Sequence, residues 1–371
     1  MTETPQALHP DRQQAGEPER LRSGGLDVLP TGKPAATRKR ATASSPAPPA
    51  VDPGRLAAVH DALLAWYARV GRDLPWRRTR DPYAILVSEI MLQQTQVDRV
   101  IPKFFQFLGA FPTLASLAMA PLADVIRVWA GLGYNRRAVR LHAIAKAAVE
   151  RLGGRLPDTA DALRELEGLG AYTANAVACF AGEAQVGVVD TNVRRVLGRV
   201  FADEIGLDPP AGPALQRFAE AILPQNRAYA WNQALMDLGA TVCTARAPAH
   251  DSCPLALQCA GRTLLTAETT RRAAERAAEY TVAAAAKTPR TAKAAQPFEQ
   301  TTRYFRGRIV AACRDLAPGA TLGLEDLGRA LRPGFGPDDL AWIAGLVEGL
   351  RRDGLVAIDE SLSGEPRVSL P

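Results

Sequence analysis

The spacing of apolar and polar residues predicts helices along most of the chain. Apolar residues recur three and four positions apart, as on the buried face of a helix, at Leu56, Val59, Leu63, Leu64 and Tyr67. Helical patterns continue in residues 84–108, 114–150 and 213–242. The pattern therefore predicts an all-α fold for this part of the chain, with order beginning near Pro53.

The most informative stretch lies between Leu163 and Leu197, where two predicted helices flank a turn that contains Gly168 and Gly170. Glycines two positions apart relieve side-chain clashes in a sharp turn and leave backbone N–H groups bare at the start of the next helix. These groups and the helix dipole favour an anion such as phosphate, so the turn predicts a site that binds the phosphate backbone of a nucleic acid. The alternative is an ordinary glycine-rich turn between two helices.

An aspartate follows the second of these helices. The apolar run Val186–Val189 leads into Asp190, which immediately precedes a third predicted helix, Val193–Val200. Asp190 is expected to cap that helix. The same position also suits a carboxylate that stabilises cationic charge developing on a sugar. The two interpretations are compatible, because a cap holds the carboxylate rigidly.

A second acidic residue lies within an apolar helix. Glu89 is flanked by Ile85, Leu86, Ile90 and Met91. Burial among apolar neighbours raises the pKa of a carboxyl group, which suits a general acid near neutral pH. An exposed glutamate on a polar helix face is the alternative.

Uncharged polar residues follow this helix. Gln93 shares a helix face with Glu89, and Gln94 lies beside it. Such hydrogen-bonding groups can fill the space that a base leaves when it swings out of the stack.

The two ends of the chain differ from the centre. Residues 1–52 are rich in Pro, Ala, Arg, Ser and Thr and are predicted to form a disordered basic tail, and residues 263–296 a flexible linker. Residues 297–371 are predicted to form three amphipathic helices and a short β-like tail, the pattern of a winged-helix module.

Composition narrows the class of protein. The 371 residues carry a formal charge of +6 and have a pI near 9.2, which suits a polyanionic partner. Five cysteines without a secretory signal point to a reducing compartment, where clustered cysteines more often bind metal than form disulfides. No apolar run is long enough to span a membrane. We therefore expect a cytoplasmic, nucleoid-associated protein with no membrane partner.

Several motifs together resemble the A/G-specific adenine DNA glycosylase (MutY) family, within the endonuclease III superfamily of helix-hairpin-helix DNA glycosylases. They are LPWR, DPY, SEIMLQQTQV, VIPKF and GLGYNRRAVRLH, and the matches run from about Trp66 to Cys259. The resemblance implies a helix-hairpin-helix glycosylase domain over residues 53–262. It also implies that Glu89 is the catalytic acid and Asp190 the catalytic aspartate. Tyr172 occupies the position of the lysine nucleophile of the lyase branch, so the resemblance points to the monofunctional branch.

The resemblance implies DNA contacts as well. Gln93 and Gln94 match residues that wedge into the duplex at the lesion, and Tyr134 matches a tyrosine that intercalates beside the damaged guanine. Gly168 and Gly170 correspond to the hairpin that anchors the backbone, and Arg77 of the LPWR turn is a further expected DNA contact.

The sequence departs from the family pattern at three places. Leu86 stands where a tryptophan is common, and Glu167 stands where the hairpin usually has a proline. The third departure is at the C-terminus, where residues 297–371 are too few and too poor in strands for the Nudix-like domain that recognises 8-oxoguanine. The preference for the opposite base is therefore open.

Family members carry four cysteines spaced C-x6-C-x2-C-x5-C that hold a [4Fe–4S] cluster. This chain keeps that register with Cys243, His250, Cys253 and Cys259. Imidazole can replace thiolate on iron in some centres, so we expect a cluster ligated by three cysteines and one histidine. A labile or lost cluster is one alternative, and a zinc site with the same ligands is another.

The sequence thus predicts a monomeric, monofunctional DNA glycosylase. Its expected partner is double-stranded DNA with mismatched or oxidised bases, and its expected reaction is hydrolysis of the N-glycosidic bond of adenine opposite 8-oxoguanine or guanine. One alternative is a thymine or uracil glycosylase acting on mismatches with guanine. Another is a DNA-binding protein without catalysis, which would need neither Glu89 nor Asp190.

Overall fold

A computed structural model describes residues 46–265, 297–359 and 366–371. The predicted tail up to residue 45 and the predicted linker from residue 266 to 296 lie outside these ranges. Residues Ala47–Pro371 form one compact unit. Its labelled helices before the gap are α1 Pro53–Val70, α2 Pro82–Leu92, α3 Val97–Ala110, α4 Leu114–Met119, α5 Leu122–Val128, α6 Arg136–Leu152, α7 Ala160–Arg164, α8 Ala171–Gly182, α9 Thr191–Val200, α10 Ala202–Ile205, α11 Pro213–Ala221 and α12 Ala228–Thr241.

Short polar side chains fix where many of these helices begin. The first backbone N–H groups of a helix lack partners within it, and an Asp or Thr just before the helix can accept a hydrogen bond from one of them. The side chains that do so here belong to Asp52, Asp81, Thr113, Thr159 and Asp190. The predicted helical stretch 84–108 is divided into α2 and α3, because Gln94 has φ = 57°, outside the helical range.

The helices enclose two apolar cores, which confirms the predicted all-α fold of this region. The first core surrounds α2, whose residues from Tyr83 to Met91 are all buried, and includes α3 to α8. The second core is formed by α1, α9, α11 and α12. Glu89 therefore lies on a helix surrounded by protein, and Asp190 lies where the apolar run between α8 and α9 passes from one core to the other.

The C-terminal residues form a small mixed module, as the fold class predicted. Three helices, α13 Thr302–Asp315, α14 Leu324–Leu331 and α15 Leu340–Arg352, pack with an antiparallel sheet of strands β1 Leu322–Gly323, β2 Ala357–Asp359 and β3 Arg367–Ser369. The strand order is β1-β3-β2, with Val368 of β3 opposite both Leu322 and Ile358. This succession of helices and strands is winged-helix-like.

The module has its own apolar core, and that core extends onto α5. Ile126 of α5 is fully buried in it together with Ile309, Val310 and Leu350. In the part of the chain that the structure describes, no helix is long and apolar enough to cross a membrane.

The close approach of α9 and α12 generates a stability prediction. A Cβ atom at Gly239 of α12 would lie 2.8 Å from Asn192 Cβ of α9, so the helices must separate to admit it. We expect Gly239→Ala to lower the free energy of unfolding by about 1–3 kcal/mol in chemical denaturation. Gly109→Ala is the matched control near the exposed end of α3, where a Cβ meets nothing within 4 Å and little or no loss is expected. Equal stability of the two variants would contradict the packing argument.

Candidate active site and DNA-binding surface

The first part of the site is a buried carboxyl group. Glu89 is 5% exposed in the middle of α2, and its Oε2 accepts a 2.9 Å hydrogen bond from the Tyr172 hydroxyl of α8. Burial raises the pKa of Glu89 to about 7, and the nearby Asp190 carboxylate acts in the same direction. The hydrogen bond from Tyr172 and the charge of Arg77 act against this shift. The predicted raised pKa is confirmed, and it leaves Glu89 able to carry a proton near neutral pH.

The second carboxyl group of the site lies at the start of α9. Asp190 is half-buried, and its Oδ1 accepts a hydrogen bond of 2.7 Å from the backbone N–H of Val193. Its Oδ2 accepts a 3.0 Å bond from the Asn192 side chain. The predicted capping role is confirmed. These two hydrogen bonds hold the Asp190 carboxyl group in a fixed orientation at the start of α9.

Two buried amides that sequence analysis missed hold the strand-like run before Asp190. Asn232 of α12 accepts from the backbone N–H of Val188 at 2.8 Å and donates to the carbonyl of Val186 at 3.0 Å. Asn175 of α8 donates to the carbonyl of Gly187 at 2.9 Å. Both asparagines are 1% exposed. The sequence could have indicated them, because an asparagine on an apolar helix face is expected to be buried and to form hydrogen bonds there.

The structure places Arg77 differently from its prediction as a DNA contact. Its guanidinium forms two hydrogen bonds to Asp237, at 2.8 and 2.9 Å, and its side chain is only 8% exposed. Arg72 binds the same carboxylate at 2.7 Å. Burial acts to raise the pKa of Asp237, but the bonds and charge of Arg77 hold it below its ordinary value. Arg77 is thus occupied by a buried ion pair and is not available to a phosphate; it joins α12 to the turn before α2.

Gln94 and Tyr134 both have unusual backbones. Gln94 has φ = 57° and Tyr134 has φ = 46°, in the left-handed region that costs a non-glycine residue about 1 kcal/mol. Such residues persist only where the surrounding structure imposes them, and they concentrate at functional sites. Gln94 is exposed and the Tyr134 ring is 42% exposed, so both side chains are available to a partner. Gln93 is half-buried and lies 3.4 Å from Thr173 Oγ1.

One buried arginine imposes this geometry. Arg137 lies in the first turn of α6, directly after the Tyr134 turn, and is only 6% exposed. Its guanidinium donates to the end of α2 and to the turn before Tyr134 together. The acceptors are the carbonyls of Ile90, Met91, Gln93, Leu132 and Gly133 and the hydroxyl of Thr95.

The glycine hairpin has the expected open face. Gly168 has φ = 95°, and a Cβ there would come within 2.7 Å of the Arg140 side chain, so the turn itself requires glycine. Gly170 has φ = −76° and precedes α8, and a Cβ there would meet nothing within 4 Å. Neither backbone nor packing requires glycine at 170, which leaves the N–H groups at the start of α8 open to a close partner.

The cysteine loop surrounds a cavity. Cys243, His250, Cys253 and Cys259 line it with mainly apolar neighbours, and its open space is about 390 Å³, including space continuous with solvent. Burial raises the pKa of the Cys253 and Cys259 thiols, and each is also affected by Cys243. Among the described residues, no three His, Cys, Asp or Glu side chains converge on one point as a single ion requires. The four side chains thus line one pocket, and they are the residues that would hold an iron–sulfur cluster.

Comparisons with known proteins agree with this arrangement. Residues 87–208 match the family described as HhH-GPD superfamily base excision DNA repair protein. The adenine DNA glycosylase of Mycolicibacterium smegmatis is 48% identical over 195 residues, 52% of this chain and 66% of that protein. The human adenine DNA glycosylase is 44% identical over 223 residues, 57% of this chain and 40% of that protein. The chain thus spans less than two thirds of the length of these relatives.

Solved structures share the fold. A thermostable thymine-DNA glycosylase is 29% identical with a TM-score of 0.53, over 57% of this chain and 97% of that one. A trapped endonuclease III–DNA intermediate is 20% identical with a TM-score of 0.51, over 58% of this chain and all of that one, and shows the fold alone. Over about half of its length the chain is therefore similar to adenine DNA glycosylases, and its core has the fold of the helix-hairpin-helix glycosylases.

Proposed function

We propose that this protein is a monofunctional DNA glycosylase that hydrolyses the N-glycosidic bond of adenine opposite 8-oxoguanine or guanine in double-stranded DNA. The observation that carries the proposal is a pair of neighbouring carboxyl groups: Glu89 is buried with a pKa of about 7, and two hydrogen bonds hold the Asp190 carboxyl group in place at the start of α9. The same division of roles between two carboxyl groups serves glycoside hydrolysis.

The two groups act on opposite ends of the breaking bond. Glu89 donates its proton to the adenine ring, which becomes a neutral leaving group as the bond to C1′ breaks. The sugar becomes oxocarbenium-like, and the Asp190 carboxylate stabilises that positive charge. A water molecule then adds to C1′ and its proton returns to the Glu89 carboxylate, which restores the acid. Tyr172 holds the Glu89 carboxyl group through its hydroxyl, and as a tyrosine it supplies no amine nucleophile for a lyase step.

The residues around the carboxyl pair are suited to bind a duplex from which one base is flipped out. The open hairpin at Gly168 and Gly170 offers backbone N–H groups to a phosphate, and Gln93, Gln94 and Tyr134 lie where side chains can fill the vacated space. Flipping costs a few kcal/mol, which these contacts offset. The strained backbones of Gln94 and Tyr134 hold those two side chains ready before DNA arrives.

A second candidate reaction is the removal of thymine opposite guanine. It is favoured by the likeness to a thymine-DNA glycosylase, of which 97% is covered by the match. The carboxyl pair serves that chemistry as well. Adenine remains the preferred substrate because the adenine glycosylases share far more identical residues with this chain.

The cavity in the cysteine loop is proposed to hold a [4Fe–4S] cluster through Cys243, His250, Cys253 and Cys259. When bound, such a cluster supplies cross-links among these four side chains. Arg199 of α9 reaches the same loop, because it donates to Cys243 Sγ at 3.3 Å and to the Thr244 carbonyl at 2.8 Å. The loop is therefore tied to the helix that Asp190 caps.

Single-turnover base release on three duplexes tests the reaction. The three duplexes contain adenine opposite 8-oxoguanine, adenine opposite guanine, and thymine opposite guanine. We expect release of adenine from the first two and no release of thymine from the third. Glu89→Gln and Asp190→Asn should each slow release by about 10²–10⁴-fold while duplex affinity persists. Both variants keep an oxygen that can accept the native hydrogen bond, from Tyr172 or from the Val193 N–H. Preferred thymine release would overturn the substrate, and full activity of either variant would overturn its role.

The pH dependence of the same reaction tests the acid. Only protonated Glu89 can donate, so the release rate should fall as pH rises through about 7. The Tyr172 hydroxyl lowers the pKa of Glu89, so Tyr172→Phe should raise that pKa and move the fall in rate to higher pH. Tyr229→Phe, in which the lost hydroxyl has no hydrogen bond to Glu89, is the control and should leave the profile in place. A Tyr172→Phe profile that stays in place or moves to lower pH would contradict the assignment.

Iron content and visible absorbance test the cluster. We expect the purified protein to contain iron and sulfide, and His250→Ala to lower the iron content or to lose iron faster to a chelator. His250→Cys should retain iron at least as well as the natural chain, because thiolate is the usual ligand. Equal iron content and loss rates in His250→Ala and the natural chain would exclude His250 as a ligand. Purification with zinc in place of iron would overturn the cluster.

A further inference from the structure

The C-terminal module lies against the part of the core that carries Tyr134. Ile126 of α5 is fully buried in the apolar core of the module, and Val139 of α6 packs against the same cluster. A Cβ at Gly354, just after α15, would lie 3.3 Å from Val139 Cγ1. This apolar contact fixes the module beside the first turns of α6.

An ionic contact adds to the apolar one. Asp353 binds Arg306 of the module and lies 3.4 Å from the Nε atom of Arg136, two positions after Tyr134. Arg140, one turn after Arg136 on α6, is exposed, and its side chain lies against Gly168 of the hairpin. The first turns of α6 therefore connect the hairpin and the module, and the module borders the proposed DNA-binding surface.

One module side chain reaches Tyr134 itself. The guanidinium of Arg303, in the first turn of α13, lies 4.3 Å from the centroid of the Tyr134 ring. This is a cation–π contact, which holds an arginine loosely at an exposed site. Arg303 is exposed, and among the described residues no carboxylate pairs with it. Its N–H donors are therefore available to an anion, whereas Arg306 on the same helix is occupied by Asp353.

We propose that the DNA-binding surface extends from the core onto the C-terminal module, with Arg303 as a phosphate-binding residue beside the point where Tyr134 enters the duplex. In the free protein the guanidinium rests on the Tyr134 ring. When duplex DNA binds, the guanidinium donates to the phosphodiester backbone beside the ring, where a planar fork of donors binds well. The inference rests on the proposed function in that it takes duplex DNA as the ligand.

Affinity and its salt dependence test this proposal in the full-length chain. The measurements use Asp190→Asn, which leaves the duplex intact, with a labelled duplex containing adenine opposite 8-oxoguanine and a fully paired duplex. Arg303→Ala should weaken binding to both by a similar factor, roughly three- to tenfold at low salt, and lower the salt slope by about 1. Arg303→Lys should keep the slope, because the charge remains.

Arg308→Ala is the matched control. Arg308 is exposed on the same helix but projects about 140° away from Arg303, so its loss should leave affinity and slope close to the parent values. In a Tyr134→Leu background the effect of Arg303→Ala should shrink, because the ring that positions the guanidinium is gone. Thermal melting checks that each variant is folded, and Arg303→Gln replaces any variant that is not.

Three results would overturn the proposal. They are parental affinity and slope in Arg303→Ala, an equal loss in Arg308→Ala, and a loss confined to the 8-oxoguanine duplex, which would indicate a base contact. Failure of the proposed function is a separate outcome. If the natural chain releases no base from any duplex, the enzymatic reaction is wrong, while the binding series still decides whether Arg303 contacts DNA.

Discussion

The part of the proposed DNA-binding surface that carries Gln94 and Tyr134 depends on the buried guanidinium of Arg137. It has no carboxylate among the hydrogen-bond partners described; it is surrounded by carbonyl oxygens from the end of α2 and from the turn before Tyr134. Burial lowers its pKa to about 10, which is still far enough above neutrality to keep the charge. A charge buried in this way is stable only if its donors find acceptors, and the last carbonyls of a helix are favourable ones because the helix dipole is negative there. Arg137 therefore fixes Gln94 and Tyr134 relative to each other.

The proposed catalytic pair depends on a different constraint, which is that its two carboxyl groups have different surroundings. Glu89 lies within an apolar helix that is enclosed on all sides, so its ionised form is penalised. Asp190 lies at a helix start, where its carboxyl group accepts a hydrogen bond from the backbone N–H of Val193. The charge of the Asp190 carboxylate also raises the pKa of Glu89. Asn175 and Asn232 keep the run before Asp190 in place, so the two carboxyl groups cannot drift apart without breaking buried hydrogen bonds.

Features set by local sequence could be predicted, and features set by distant partners could not. The helices, the cap at Asp190 and the raised pKa of Glu89 follow from apolar spacing and immediate neighbours. Whether an arginine is buried depends on what faces it. Arg77 meets Asp237, 160 positions later in the chain, and Arg137 meets carbonyls more than 40 positions earlier, so both look like surface charges in the sequence. The register of the cysteine loop could be read because all its donors lie within one short segment, whereas the contact of Arg303 with Tyr134 joins distant segments.

The position of the C-terminal module separates two tasks that the surface must perform. Among the described residues, the hydrogen bonds to the Glu89 and Asp190 side chains come from the core, so residues 297–371 do not position the proposed catalytic pair. Tyr134 instead lies between the core and the module, in contact with Arg137 on one side and Arg303 on the other. A module of different fold can therefore be attached at α5 and α6 without disturbing the carboxyl pair, provided that it leaves the Tyr134 ring exposed and adds no negative charge there. This module meets both conditions, because its Asp353 is neutralised by Arg306 and Arg136 while Arg303 brings a cation to the ring.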